Sequence, residues 1–174
     1  MKEKEYMRLE SDSIGTMEVP EDAYYGVQAL RAKENFPITG TKLHPVFIKN
    51  LAKIKRAAAI TNRKAGRLKP EIANAIEASA NEVICGMFDK DFIVDGIQGG
   101  AGTSANMNMN EVIANRAIEM LCGKKGDYTI VHPNDHVNMA QSTNDVIPTA
   151  GKLTVLDLLK PLDLSLIHIS EPTR

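Results

Sequence analysis

Two stretches of this 174-residue chain carry side chains whose types and spacing could do chemistry. The first runs Gly99-Gly100-Ala101-Gly102-Thr103-Ser104-Ala105-Asn106-Met107-Asn108-Met109-Asn110-Glu111. Here a glycine loop feeds a helical pattern. A helix start aims free N–H groups and the positive end of the helix dipole at whatever precedes it, which suits an anion. Thr103, Asn106 and Asn110 fall at i, i+3 and i+7 and share a face. Asn competes with the helix for backbone partners, so such a concentration of it needs a tertiary reason. Two reasons stay open: a small-anion site, or a polar network between packed helices. The loop has neither the Gly-Lys-Ser/Thr of a P-loop nor the preceding strand of a dinucleotide fingerprint.

The second stretch is His132-Pro133-Asn134-Asp135-His136-Val137-Asn138-Met139-Ala140-Gln141-Ser142-Thr143-Asn144-Asp145, dense in hydroxyl, amide and imidazole groups. Ser142 and Asp145 fit a capping-box spacing, which puts Ser142, Thr143 and Asn144 at a second helix start. Hydroxyls beside free amides suit a carboxylate, and a plain N-cap is the alternative. His132 and His136 have the separation of paired metal ligands, but no third ligand follows and H-E-x-x-H is absent. No metal site or cofactor is expected. Cys85 and Cys122 have no activating base in sequence and read as packed thiols.

Helices must position these groups. Pro45 and Pro70 are N1-type prolines, and Gly66 and Gly86 are C′ stops, which brackets two helices. Phe47, Leu51, Ile54 and Ala58 stripe the first; Ile72, Ile76, Ala80 and Val83 stripe the second. A further helix is expected over Glu21–Asn35. Another spans about Ser104–Cys122, with Met109, Ile113, Ala117, Met120 and Leu121 on one side and Gly123 and Gly126 closing it. A last helix starts around Ser142–Val146 and runs past Leu159. Residues 1–20 read as an irregular or short-strand arm. The class is mostly α.

Composition narrows the partners. The charge balance of 21 Lys+Arg against 22 Asp+Glu shows no basic excess that points to nucleic acid or anionic lipid, while leaving room for a local cationic site for a small anion. Aromatics at 5%, with no Trp, offer no stacking platform for bases. No apolar run is long enough to span a bilayer, and the charged N-terminus has no secretory h-region. Expected are a cytoplasmic setting, no membrane and no nucleic acid.

Gly99-Gly-Ala-Gly-Thr-Ser-x-Asn-Met-Asn-x-Asn-Glu-Val-Ile-Ala-Asn-Arg-Ala117 and the Asn134–Asp145 block resemble conserved regions of the aspartase/fumarase superfamily. Glu18-Val-Pro-x-Asp-Ala-Tyr-Tyr-Gly26 and Leu30-Arg-Ala…Glu34-Asn-Phe36 match as well, so the resemblance covers residues 7–162. Gly100-Ala-Gly-Thr103, Ser142-Thr-Asn-Asp145 and Tyr25-Gly26 look like the branch that eliminates ammonia from aspartate, because fumarases usually carry Gly-Ser-Gly-Thr, Ser-Ser-Asn-Asp and Trp-Gly there. Ala29, where relatives commonly have Thr, is a small departure outside the site motifs.

The resemblance implies the N-terminal domain of that fold over 1–141 and the start of one central-bundle helix over 142–162. It implies reversible conversion of L-aspartate to fumarate and ammonium in a homotetramer, with no cofactor. Thr103, Ser142, Thr143 and Asn144 would bind the substrate, and His132, Asn134 and Asp135 resemble a second anion site. The proton-abstracting serine of the family lies on a downstream loop beyond this chain, so the chain alone is expected to be inactive. Alternatives are fumarate hydration or another superfamily lyase, or a short non-catalytic protein that binds dicarboxylates or co-assembles with a lyase. Residues 163–174 show no clear helical continuation and resemble a translated sequencing adapter, with a natural frayed tail as the alternative; no function is assigned to His168.

Overall fold

The computed structural model describes residues 6–170, without the side chains at 163, 164 and 166–170. The arm is a hairpin: β1 (Met7–Ser11) pairs antiparallel with β2 (Thr16–Pro20), with Leu9 opposite Glu18. Its inner face carries charge beside the buried Val19. Arg8 and Glu10 are buried, whereas Leu9 points outward. The Arg8 guanidinium donates to the carbonyls of Pro20 (2.7 Å), Ala23 (2.8 Å) and Tyr25 (2.9 Å) and to the Glu10 carboxylate (2.8 Å). That fan holds residues 20–25 in non-helical form. The helix expected from Glu21 therefore begins only at Val27, as α1 (Val27–Asn35). Long-range hydrogen bonds override a local helical pattern here.

The remaining helices are α2 (Pro45–Lys64), α3 (Pro70–Ile84), α4 (Thr103–Met120) and α5 (Thr143–Ser170), giving a mostly α fold. Proline opens α2 and α3 as read. Gly66 closes α2: its N–H bonds to the Arg63 carbonyl and that of Arg67 bonds to the Asn62 carbonyl, a Schellman ending. The end of α4 differs. The left-handed position is taken by Cys122 (φ 62°), not by a glycine. Gly123 follows because a Cβ there would lie 2.4 Å from Ile130 and 2.8 Å from Ile118. Both Cys85 and Cys122 are exposed at helix ends, which corrects the reading of packed thiols: the capping turn carries them outward.

Helix α4 is the axis of the core. A single apolar stripe does not describe it, because residues 105–115 are buried on every side. α2, α3 and α5 pack into one hydrophobic cluster with it, centred on Leu51, Ile76, Met109, Ile113 and Ile118. Its asparagines tie this central helix to the chain around it. Asn108 accepts from the Ile93 N–H and donates to the Asp91 carbonyl. Asn115 accepts from the Gly126 N–H and donates to the Tyr24 carbonyl.

Helix α5 runs on to Ser170 through Pro148 and Pro161, so the expected break after Leu162 is absent. The run after Pro161 contains no glycine to stop it. Residues 171–174 and the His168 side chain lie outside the described residues. Val146 on α5 is buried in the core, while Val155, Leu156, Leu158, Leu159 and Leu162 form an exposed apolar face. Among the described residues no helix is long and apolar enough to cross a membrane.

Candidate functional site

The two chemistry-bearing stretches meet at the starts of α4 and α5. Gly102 caps α4 in the left-handed region (φ 84°), and a Cβ there would lie 2.9 Å from Ile147 on α5. The glycine thus lets the loop lie directly on the first turns of α5. One turn into α4, the Asn106 amide donates to Thr143 Oγ1, the first residue of α5, at 3.0 Å. Thr103, Ser142 and Asn144 are exposed around this junction, and Thr143 is half-buried.

Their side chains are in different states. Ser142 Oγ accepts from the Asn144 N–H at 3.2 Å, so it caps α5. The reciprocal bond of a full capping box, from the Ser142 N–H to the Asp145 carboxylate, is absent among the described residues. The Thr103 hydroxyl has no partner among the described residues, and neither do the N–H groups of Thr103, Ser104 and Thr143. The Ala105 N–H is taken by the Gln98 side chain at 2.9 Å. Several donors and two helix dipoles therefore face outward from one junction; the first turn of α4 has no acidic side chain, and that of α5 has the exposed Asp145.

Beneath it lies a group that the sequence reading missed. Lys55 of α2 is fully buried. Its ammonium donates to Asn106 Oδ1 at 2.7 Å and to Asn138 Oδ1 at 2.8 Å, and no carboxylate pairs with it among the described residues. Burial pulls its pKa down to about 7. Asn106 also donates to Asn138 Oδ1 at 3.2 Å. Thr103, Asn106 and Asn110 thus do not act as one ligand face. Asn106 belongs to the buried network, Asn110 is buried against Met107, and Thr103 alone stays open. In sequence, Lys55 is one of several cations on a helix rich in them; only its position on the inward face distinguishes it.

His132, Asn134 and Asp135 form a separate local structure, the π-turn Pro133–Val137. His132 Nδ1 accepts from the N–H groups of Asn134 (3.3 Å) and Asp135 (3.1 Å), and His136 Nδ1 accepts from the His132 N–H (2.9 Å). Both Nδ1 atoms are thus engaged as acceptors within the turn. Desolvation lowers the His136 pKa. Among the described residues no group of three His, Cys, Asp or Glu side chains is arranged to hold a metal. Two cavities, of about 380 and 530 Å³, lie elsewhere and share Lys42 and Lys90; no residue of the helix-start junction lines either of them.

Residues 15–169 match the sequence profile of a family described as lyase. The chain belongs to this lyase family. An aspartate ammonia-lyase from a Bacillus species is 55% identical over 156 residues, covering 90% of this chain and 33% of that relative. A class II fumarate hydratase from Halobacterium salinarum is also 55% identical over 152 residues, covering 87% of this chain and 32% of that relative. Among solved structures, a fumarate lyase:delta crystallin from Brucella melitensis superimposes with a TM-score of 0.85 at 50% identity, covering 87% of this chain and 36% of that one. The chain thus spans about a third of the length of the lyases it matches. Within this lyase chain, the predicted substrate-binding residues Thr103, Ser142, Thr143 and Asn144 come together at one junction, while His132, Asn134 and Asp135 sit in their own turn.

Proposed function

We propose that this chain supplies the carboxylate-gripping part of a carbon–nitrogen lyase that eliminates ammonia reversibly from L-aspartate to give fumarate. The junction of two helix starts carries this reading, with Thr103, Ser142, Thr143 and Asn144 around it. In such an elimination a base removes a Cβ proton, and negative charge builds on the adjacent carboxylate as the aci-form develops. Preorganised neutral donors are the groups that stabilise charge as it forms. Thr103 and the Ser142–Thr143 pair grip the carboxylates, and Asn144 lies near the substrate's polar groups. The base comes from a segment outside these 174 residues, so the chain by itself is inactive.

The protein acts in the cytoplasm, and 1–141, 142–162 and 163–174 are its N-terminal domain, the first part of a bundle helix and a non-native tail. The exposed face of α5 from Val155 to Leu162 fits burial in a homotetramer. His132, Asn134 and Asp135 form a second anion point at their own turn. Fumarate hydration is the alternative, favoured by the equal identity of the hydratase relative. A restored enzyme carrying this segment distinguishes them. Fumarate absorbance should rise with L-aspartate and not with L-malate. Turnover of L-malate alone overturns the ammonia-lyase reading, and turnover by the 174-residue chain alone overturns its inactivity.

A further inference from the structure

Lys55 is fully buried, and its ammonium donates to two neutral amide oxygens. A buried cation without a buried anion is costly, and a counter-charge arriving from outside offsets that cost. The titratable groups of the elements packed around it are engaged otherwise. On α3, Glu77 pairs with Arg63 and Glu82 with Arg116. On α4, Glu111 accepts from α1. On α5, Asp157 holds Asn50 and Lys53, and Asp145 is exposed. His132 and His136 close their own turn, and Asp135 is exposed. No charged partner offsets the desolvation of Lys55 among the described residues.

The network has a direction. The ammonium can only donate, so it fixes the Asn106 oxygen toward itself and the Asn106 Nδ2 toward Thr143. Thr143 Oγ1 accepts that bond, so its own proton turns away from Asn106. Each bond in such a chain polarises the next.

We propose that Lys55 is a positioning residue for the helix-start junction: through Asn106 it turns the Thr143 hydroxyl into an outward donor and supplies the buried positive charge that a bound dicarboxylate neutralises. This rests on the carboxylate-binding reading above. It follows that anion binding and protonation of Lys55 reinforce one another by linkage, with a proton drawn from solvent.

The test is an NMR titration of the full 174-residue chain with fumarate as probe, following the Thr103 and Thr143 amides and the Lys55 side-chain resonances across pH. The expected result is that fumarate shifts both amides and raises the Lys55 titration midpoint by at least one pH unit. Fumarate-induced amide shifts with an unmoved Lys55 midpoint overturn the role of Lys55 and leave the binding site standing. No shift at Thr103 and Thr143 overturns the site reading, and this inference with it. Asn106→Asp adds a second readout. A carboxylate there neutralises Lys55 and draws the Thr143 proton inward, so fumarate affinity should fall at least tenfold while the unfolding midpoint is not lowered. Undiminished affinity in that variant overturns the inference.

Discussion

The start of α1 and the junction of the α4 and α5 starts present the same electrostatic invitation and answer it in opposite ways. At α1 the invitation is met from within. The Glu111 carboxylate accepts from the N–H groups of Gly26 (3.0 Å), Gln28 (2.9 Å) and Ala29 (3.0 Å), and Glu10 accepts from that of Val27 (3.0 Å). Gly26 makes room, since a Cβ there would lie 2.3 Å from the Tyr128 hydroxyl and 2.6 Å from a Glu10 oxygen. At the α4 start no carboxylate enters and the Thr103 hydroxyl stays open; at the α5 start the one acid of the first turn, Asp145, is exposed, and the nearest buried charge is the cation of Lys55. A helix start stapled by the protein's own acid holds the fold together. One left open above a buried ammonium suits an external acid.

The comparison breaks most directly at Glu111. Glu111→Ala strips the acceptor from three N–H groups, two of them buried, and the expected loss is about 3–5 kcal/mol in urea unfolding. An unchanged midpoint would mean that the internal carboxylate does not hold α1 and that the contrast is empty. Fumarate added to that variant should not restore the lost stability, because the probe belongs to the other helix starts.

A pH profile of stability separates the two regions next. Burial pushes the Glu111 carboxyl up to about 7, against the pull of its backbone donors. From its ordinary value of 4.5 up to about 7, the folded chain keeps a proton that the unfolded chain has released, so stability falls as pH rises. Lys55 does the reverse. From about 7 to 10.5 the unfolded chain holds a proton that the folded chain lacks, so stability rises with pH. Each arm has a slope of at most about 1.4 kcal/mol per pH unit. The expected profile has a minimum near neutrality; Lys55→Met should flatten the alkaline arm alone. A profile that falls steadily from pH 7 to 10 would contradict the burial of an unpaired ammonium.

How much of this could be read beforehand follows from the range of the interactions. Pro45, Gly66, Pro70 and Gly86 act on their own backbone, and the helices they bracket are where the local signals put them. The hydroxyl-rich helix starts were legible for the same reason. The start of α1 was not, because it depends on Arg8 reaching carbonyls across the hairpin. The asparagines of α4 announced that something polar needed partners, and Asn108 and Asn115 found them in backbone groups far along the chain. Lys55 left only its place on the inward face of α2, since a lysine becomes a buried cation only once α4 and the turn before α5 close over α2.

At the open junction, Thr103→Val should lower fumarate affinity about tenfold to a hundredfold, the worth of a hydrogen bond to a charged group. Stability should stay nearly constant, because the exposed hydroxyl has no partner within the described residues. Thr103→Ser should keep most of the affinity. Thr143→Val should lose both affinity and stability, since it also removes the acceptor of Asn106. Calorimetric titration with fumarate beside thermal unfolding reads both. Equal affinity for Val and Thr at position 103 removes that residue from the site.

The smallest expected effect is at Ser142, where the two uses of a helix start coincide in one side chain. Its Oγ already accepts from the Asn144 N–H, so Ser142→Ala should cost roughly 0.5–2 kcal/mol of stability as an ordinary lost cap. Alanine alone cannot tell a cap from a ligand contact, because a frayed first turn would weaken the anion as well. Ser142→Asp can. A carboxylate is as good a cap as a hydroxyl and suits the helix dipole, so stability should return to the level of the parent chain or above it. The same carboxylate places a negative charge among the donors that face fumarate, so binding should be lost although the helix is intact. Restored stability with restored binding would make Ser142 a cap and nothing more, and would place the anion away from the start of α5.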